Sequence, residues 1–327
     1  MQTGKVSTLR AFSFAAATLG LLVAHAVVAT TTLWVTVSIK PIHSLVSGVM
    51  GAVGTPELIV NGAGSPHTYV LRPSEARVLN RSDVVFWVGD ELETFLKKPL
   101  EALGEQANIV TLSKLQGLKL LPAREGGTWE GHKHDDKPYD EREAVYRNDH
   151  ADREMDMHIW LDPVNAKTMV QSIVAELCLT DPQHAQIYKK NGERLIARLT
   201  MLDRELAESL HPISKVPYIV FHDAYHYLEA HYGLNAVGSI TVSPERKPGA
   251  RRVAEMRDKV KQLGVACIFS EPQFEPTLVR TLIDDTKART GVLDPVGAEL
   301  RNGPELYFDL LRGLSASLVK CLFISSG

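Results

Sequence analysis

Residues 181–210, DPQHAQIYKKNGERLIARLTMLDRELAESL, hold the reading that decides the fold. Apolar side chains recur at helical spacing along the stretch, among them Leu195, Leu199, Leu202 and Leu206, while charged residues fill the intervening positions. Nothing breaks the pattern before Pro212. The spacing therefore predicts a single linking helix over 181–211, long enough to join two lobes. On its N-terminal side the chain alternates strand and helix. LWVTVSI reads as a strand, and Pro41 opens a helix running to about Met50. PELIV is a second strand, the loop NGAGSPHTY follows, RPSEARVLN is a short helix and VVFWVG a third strand. HIWLDPVNAKTMVQSIVAELC supplies one more helix, with Asp162 as its N-cap and Pro163 at its start. Beyond Pro212 the alternation begins again with VPYIVF, then PGARRVAEMRDKVKQLG as helix, VACIFS as strand, a helix–strand pair ending at GVLD, and SASLVKCLF as the closing segment. Such alternation predicts an α/β protein of two lobes, 30–180 and 212–327, each with a parallel sheet covered by helices on both faces.

Residues 1–29 have a different character. Lys5 and Arg10 precede AFSFAAATLGLLVAHAVVA, an apolar run without an acidic residue that ends in small side chains. This is the pattern of a secretory signal peptide. A membrane anchor is the rival reading, but Ser13, Thr18, Gly20 and His25 interrupt the run. No cysteine stands at the cleavage region to carry a lipid, and no second apolar stretch of spanning length follows. A soluble, exported chain is expected. The formal net charge is −3, which offers no electrostatic footprint for nucleic acid. Residues 126–156 form a long insertion with ten acidic residues against five basic ones. It lacks apolar periodicity and carries His132, His134 and His150, so it reads as a functional or solvated loop.

Sheets of this class place ligand sites at strand C-termini, and several potential metal donors fall there. His67 follows the second strand across a Gly-rich loop, His222 follows YIVF, Glu271 follows CIFS and Asp294 follows GVL; His158 borders the acidic insertion. Two belong to the first lobe and three to the second, so they meet only in the crevice between lobes. Imidazole with carboxylate suits zinc, and less well manganese or iron. His222 and His226 also stand four apart with Asp223 between them, a spacing close to the H-E-x-x-H helix of metalloproteases. An exported zinc hydrolase is thus an alternative. It requires both histidines on one helix, whereas His222 ends a strand and Asp223 is expected to cap the helix that follows. His226 and His231 then belong to that helix, with Gly233 as its stop.

The segments SIKPIHSLVSGVMG, SPHTYVLRPSEARVLNRSDVVFWVG, HIWLDP, VFHDAYHYLEAHYGL, FSEPQF and LDPVG, in this order, resemble those of the zinc-specific solute-binding proteins of bacterial ABC importers. The resemblance runs from about Val35 to Cys321. It implies two Rossmann-like lobes bridged by a long rigid helix, with Zn2+ held between the lobes by His67, His158 and His222. It further implies a periplasmic subunit that delivers zinc to an inner-membrane permease served by a separate ATPase; a monomer is expected. Manganese-binding relatives carry a carboxylate at the third position, so His222 favours zinc. The insertion, with His132, His134 and His150, is then an auxiliary metal collector. Some members place a Glu before the first histidine as a fourth ligand; this chain has Pro66, leaving water, Asp294 or Glu271 to complete the site. Cys267 and Cys321 both lie in the second lobe and are the pair the resemblance favours for a disulfide, with Cys178 free. No catalytic apparatus and no phosphate-binding loop are expected.

Overall fold

The computed structural model describes residues 1, 33–124, 129, 154–241, 249–273, 277–284 and 286–323. Nearly all of the expected signal peptide 1–29 lies outside these residues, as do His132, His134 and His150 of the insertion. Residues 33–327 cluster as one compact unit.

Its first sheet comprises β1 (Val35–Ile39), β2 (Glu57–Val60), β3 (Val84–Trp87) and β4 (Asn108–Thr111), all parallel in the order β2-β1-β3-β4. The crossovers carry α1 (Lys40–Met50), α2 (Pro73–Asn80) and α3 (Thr94–Leu103). Pro41 lies in the first turn of α1 as expected, and the helix is buried nearly all round, with Ile42, Leu45, Val46 and Val49 in the core. After α4 (Pro163–Thr180), whose N-cap Asp162 accepts a hydrogen bond from Val164 N–H, comes the long helix α5 (Ala185–Leu210). The second sheet comprises β5 (Tyr218–His222), β6 (Ala236–Thr241), β7 (Cys267–Ser270) and β8 (Arg289–Val292), parallel and ordered β6-β5-β7-β8. Helices α6 (His226–Tyr232), α7 (Ala250–Gln262) and α8 (Thr277–Ile283) connect these strands, and α9 (Leu306–Leu322) closes the chain. The two edge strands β4 and β6 add to those expected from sequence.

At about 1.5 Å per residue, the 26 residues of α5 reach along both lobes. Tyr188, Leu195, Leu199, Leu202, Leu206 and Leu210 are buried along one stripe, so burial of that stripe accounts for the helix better than intrinsic propensity does. On the first-lobe side, Asn191 Nδ2 donates to Val49 O at the end of α1. A Cβ at Gly192 would stand 2.4 Å from Val174 Cγ2, so only glycine lets α4 approach this closely. On the second-lobe side, Arg312 on α9 pairs with Glu205, and Arg198 pairs with Glu305 just before α9. One continuous core includes Val37, Trp160, Tyr188, Tyr227 and Tyr307 and so crosses from lobe to lobe; Ile219, Phe221, Ile240, Met256 and Ile268 form a second cluster under the other sheet. The Cys267–Cys321 disulfide ties β7 to α9, and Cys178 is a free thiol.

Candidate metal centre

Each sheet changes direction beside its first strand, between β1 and β3 and between β5 and β7. Crevices at such points accept ligands at the strand C-termini. His222 is the last residue of β5, and Glu271 directly follows β7. His67 projects from the loop after β2, and His158 precedes the short 3-10 turn Ile159–Leu161 that leads into α4. Three distant parts of the sequence thereby meet.

His158 Nε2 is 3.3 Å from His67 Nε2 and 3.3 Å from His222 Nε2. Two nitrogens bound at about 2.0–2.1 Å to one tetrahedral zinc stand about 3.3–3.4 Å apart, so both separations match an edge of that tetrahedron. His158 and His222 are buried and His67 partly so. Ser65, Pro66, Trp160, Glu271, Gln273, Pro295 and Val296 complete the wall of a cavity of ≈ 10 Å³, room for a single small occupant.

The outer nitrogens explain why the inner ones point inward. His158 Nδ1 lies 2.7 Å from Asp156 Oδ1, which also accepts the His158 backbone N–H. His222 Nδ1 lies 2.6 Å from Glu271 Oε1. Each carboxylate takes the Nδ1–H and leaves the Nε2 lone pair facing the centre, the arrangement that orients histidine on a metal. Lone pairs converging at this distance repel one another, and a cation relieves that repulsion.

Burial, helped by the neighbouring imidazoles, holds His67 well below the usual histidine range and His158 at about 3. His222 goes the other way. Burial opposes its charged form, but the charge and hydrogen bond of Glu271, with Asp223 and Asp156 beyond, outweigh it and raise the pKa. Burial pushes the Asp156 carboxyl up to about 6.

Among the described residues, His67, His158 and His222 are the group of His, Cys, Asp or Glu side chains placed to share an ion. His226 is outside it. As expected, His222 closes a strand while His226 opens α6, so the pair shares no helical face. The expected cap at Asp223 is corrected: α6 has no side-chain cap. Asp223 instead accepts two-pronged hydrogen bonds from Arg124, because a buried cation at that point competes for its carboxylate more strongly than a backbone N–H does. Neither proposed carboxylate ligand is free. Glu271 serves His222, and Asp294 accepts the backbone N–H groups of Val296, Gly297 and Ala298. Asp156 is a functional residue that sequence reasoning alone misses among the ten acids of the insertion. Its place two residues before His158 is the signal that marks it.

A family model described as zinc-uptake complex component A, periplasmic, matches residues 35–321. The high-affinity zinc uptake system protein ZnuA of Brucella abortus (strain 2308) is 50% identical over 304 residues, covering 88% of this chain and 91% of its own length. The protein of the same name from Yersinia pestis is 35% identical over 299 residues, with 88% and 91% covered. A crystal structure of ZnuA superimposes with a TM-score of 0.72 over 90% of this chain and 100% of its own, at 22% identity, showing a shared fold.

Proposed function

The chain belongs to the periplasmic zinc-uptake complex component A family, and from that premise we propose that it captures Zn2+ with His67, His158 and His222 and hands it to an importer. It is the solute-binding component of an ABC-type zinc uptake system, and no enzyme. The observation that carries the ligand assignment is the convergence of three Nε2 atoms, two of them fixed from behind by Asp156 and Glu271. Water is the fourth ligand in this reading, since Glu271 and Asp294 are committed elsewhere. All three protein ligands come from one chain, so a monomer suffices to bind the ion.

The ion is cargo. It passes to a permease in the inner membrane whose separate ATPase supplies the energy. No helix among the described residues is long and apolar enough to cross a membrane, and the 1–29 segment is read as the export signal. The lobes 30–180 and 212–327 and the linking helix 181–211 act as a clamp around the ion, and His132, His134 and His150 collect metal weakly outside it. Nitrogen donors select against Mg2+ and Ca2+, and three imidazoles favour zinc over manganese. A zinc-bound crystal structure tests the assignment: the three Nε2 atoms should lie about 2.0–2.1 Å from the ion. Finding His226 on the ion in place of His67 would overturn it in favour of the hydrolase geometry.

A further inference from the structure

We propose that Arg124 is a positioning residue for the metal centre, a brace that fixes the His222-bearing strand relative to the His158-bearing segment. The inference rests on the zinc-binding reading above and concerns a residue that touches no proposed ligand.

Arg124 is anchored by the segment that precedes it and by its side chain. In that segment, Pro122 forms an antiparallel bridge with Met155. Ala123 N–H donates to Glu154 O, and Asp156 N–H donates to Leu121 O. The residue is therefore tied to the short segment that runs through Asp156 to His158. At its side chain, Nε lies 3.1 and 3.0 Å from the two carboxylate oxygens of Asp223, and Nη2 also contacts Asp223. Nη1 lies 2.7 Å from Glu229 Oε2 on α6. Asp223 follows His222 directly. Glu229 Oε1 accepts a hydrogen bond from Tyr218, the first residue of the same strand. One guanidinium thus holds both ends of β5, at Asp223 directly and at Tyr218 through Glu229.

The chemistry calls for arginine. Side-chain exposure is 17% for Arg124, 10% for Asp223 and 3% for Glu229. Two carboxylates this deeply buried require a buried cation, and a planar fork can grip one while reaching the other. Trp129 lies over the guanidinium, 3.5 Å from ring centroid to Cζ, and covers it. Tyr227 works beside it, donating its O–H to Asp156 O and accepting Leu121 N–H. A shift of this brace moves His222 Nε2 away from His158 Nε2 without touching either ring.

The test uses the full chain with Arg124→Ala, Arg124→Lys and wild type. Zinc affinity is measured against a competing chelator, and the visible absorption of the cobalt(II)-loaded proteins reports ligand geometry. Changes in groups that orient metal ligands weaken binding about 10–100-fold. Acting one step further out, Arg124→Ala should lose about tenfold, with weaker cobalt bands as the tetrahedral set is distorted, and Arg124→Lys should fall between. Wild-type affinity and spectrum in Arg124→Ala would overturn the proposal, and a defect in folding alone leaves the bands of the bound fraction unchanged. Should the alanine variant not fold, Arg124→Lys decides: a wild-type cobalt spectrum there refutes the brace. If wild type itself binds no zinc tightly, the zinc-binding reading fails and not the brace alone.

Discussion

His222 Nδ1 meets Glu271 Oε1 at 2.6 Å across the C-terminal ends of the neighbouring strands β5 and β7. The two residues are 49 apart in sequence, so the sheet register is what brings them together. The carboxylate orients the ring and raises the basicity of its Nε2.

Glu271→Ala should therefore weaken zinc binding by about 10–100-fold while the apo protein stays folded. Competition with a chelator measures the affinity, and circular dichroism of the apo form checks the fold. An unchanged affinity would mean that the carboxylate does not orient His222.

Zinc affinity should fall with acid along a one-proton slope. His67 and His158 are held below the usual range and are already neutral, while His222 is held above it. A proton and the ion compete for the same Nε2, so loss begins as pH falls through the raised His222 value, above the ordinary histidine value of about 6.5. Affinity should then drop about tenfold per pH unit. A titration series across pH measures the slope, and a three-proton slope over that window would contradict the assignment.

The Cys267–Cys321 bridge has a sequence separation of 54. In the chain-entropy model, closing a loop of that size stabilises the native state by about 4 kcal/mol. Replacing both cysteines by serine should lower the melting temperature with little effect on zinc affinity, whereas Cys178→Ser should change neither. Denaturant unfolding of the variants supplies the comparison. Peptide mapping that found Cys178 in a bridge would contradict the pairing.

Deleting residues 131–149 should leave one tight zinc site per chain and remove only weak binding. The deletion spares Trp129, which covers the Arg124 guanidinium, and Met155 and Asp156, which pair with Pro122 and hold the His158 ring. Calorimetry reads the stoichiometry. Loss of the tight site would show that the insertion contributes ligands.

Much of this architecture was legible in the sequence because it depends on local periodicity. The stripe from Leu195 to Leu210 announces α5, and Pro41 and Pro163 mark helix starts that the structure bears out. The short edge strands were harder to see. Asn108–Thr111 offers four residues, and Gly238 interrupts Ala236–Thr241. The site was legible as single residues at strand ends, and the resemblance grouped three of them. What surrounds them was not. Asp223 looked like a helix cap because its neighbourhood has cap chemistry, but its partner Arg124 is 99 residues away. Asp156 and Glu271 acquire their roles only through a tertiary contact with a ring nitrogen, which no local pattern records.

His67, His158 and His222 are proposed to act as one coordination unit from which His226 is excluded. The most direct measurement is a zinc titration of the four single alanine variants against a competing chelator, with apo folding checked for each. Losing one of three imidazoles leaves the ion short of its tetrahedral set, so His67→Ala, His158→Ala and His222→Ala should each bind severely more weakly. His226→Ala should bind nearly as wild type, and saturating zinc should raise its melting temperature as it does for wild type, increasingly with free metal. Equal losses for His222→Ala and His226→Ala, with His67→Ala unaffected, would contradict the account.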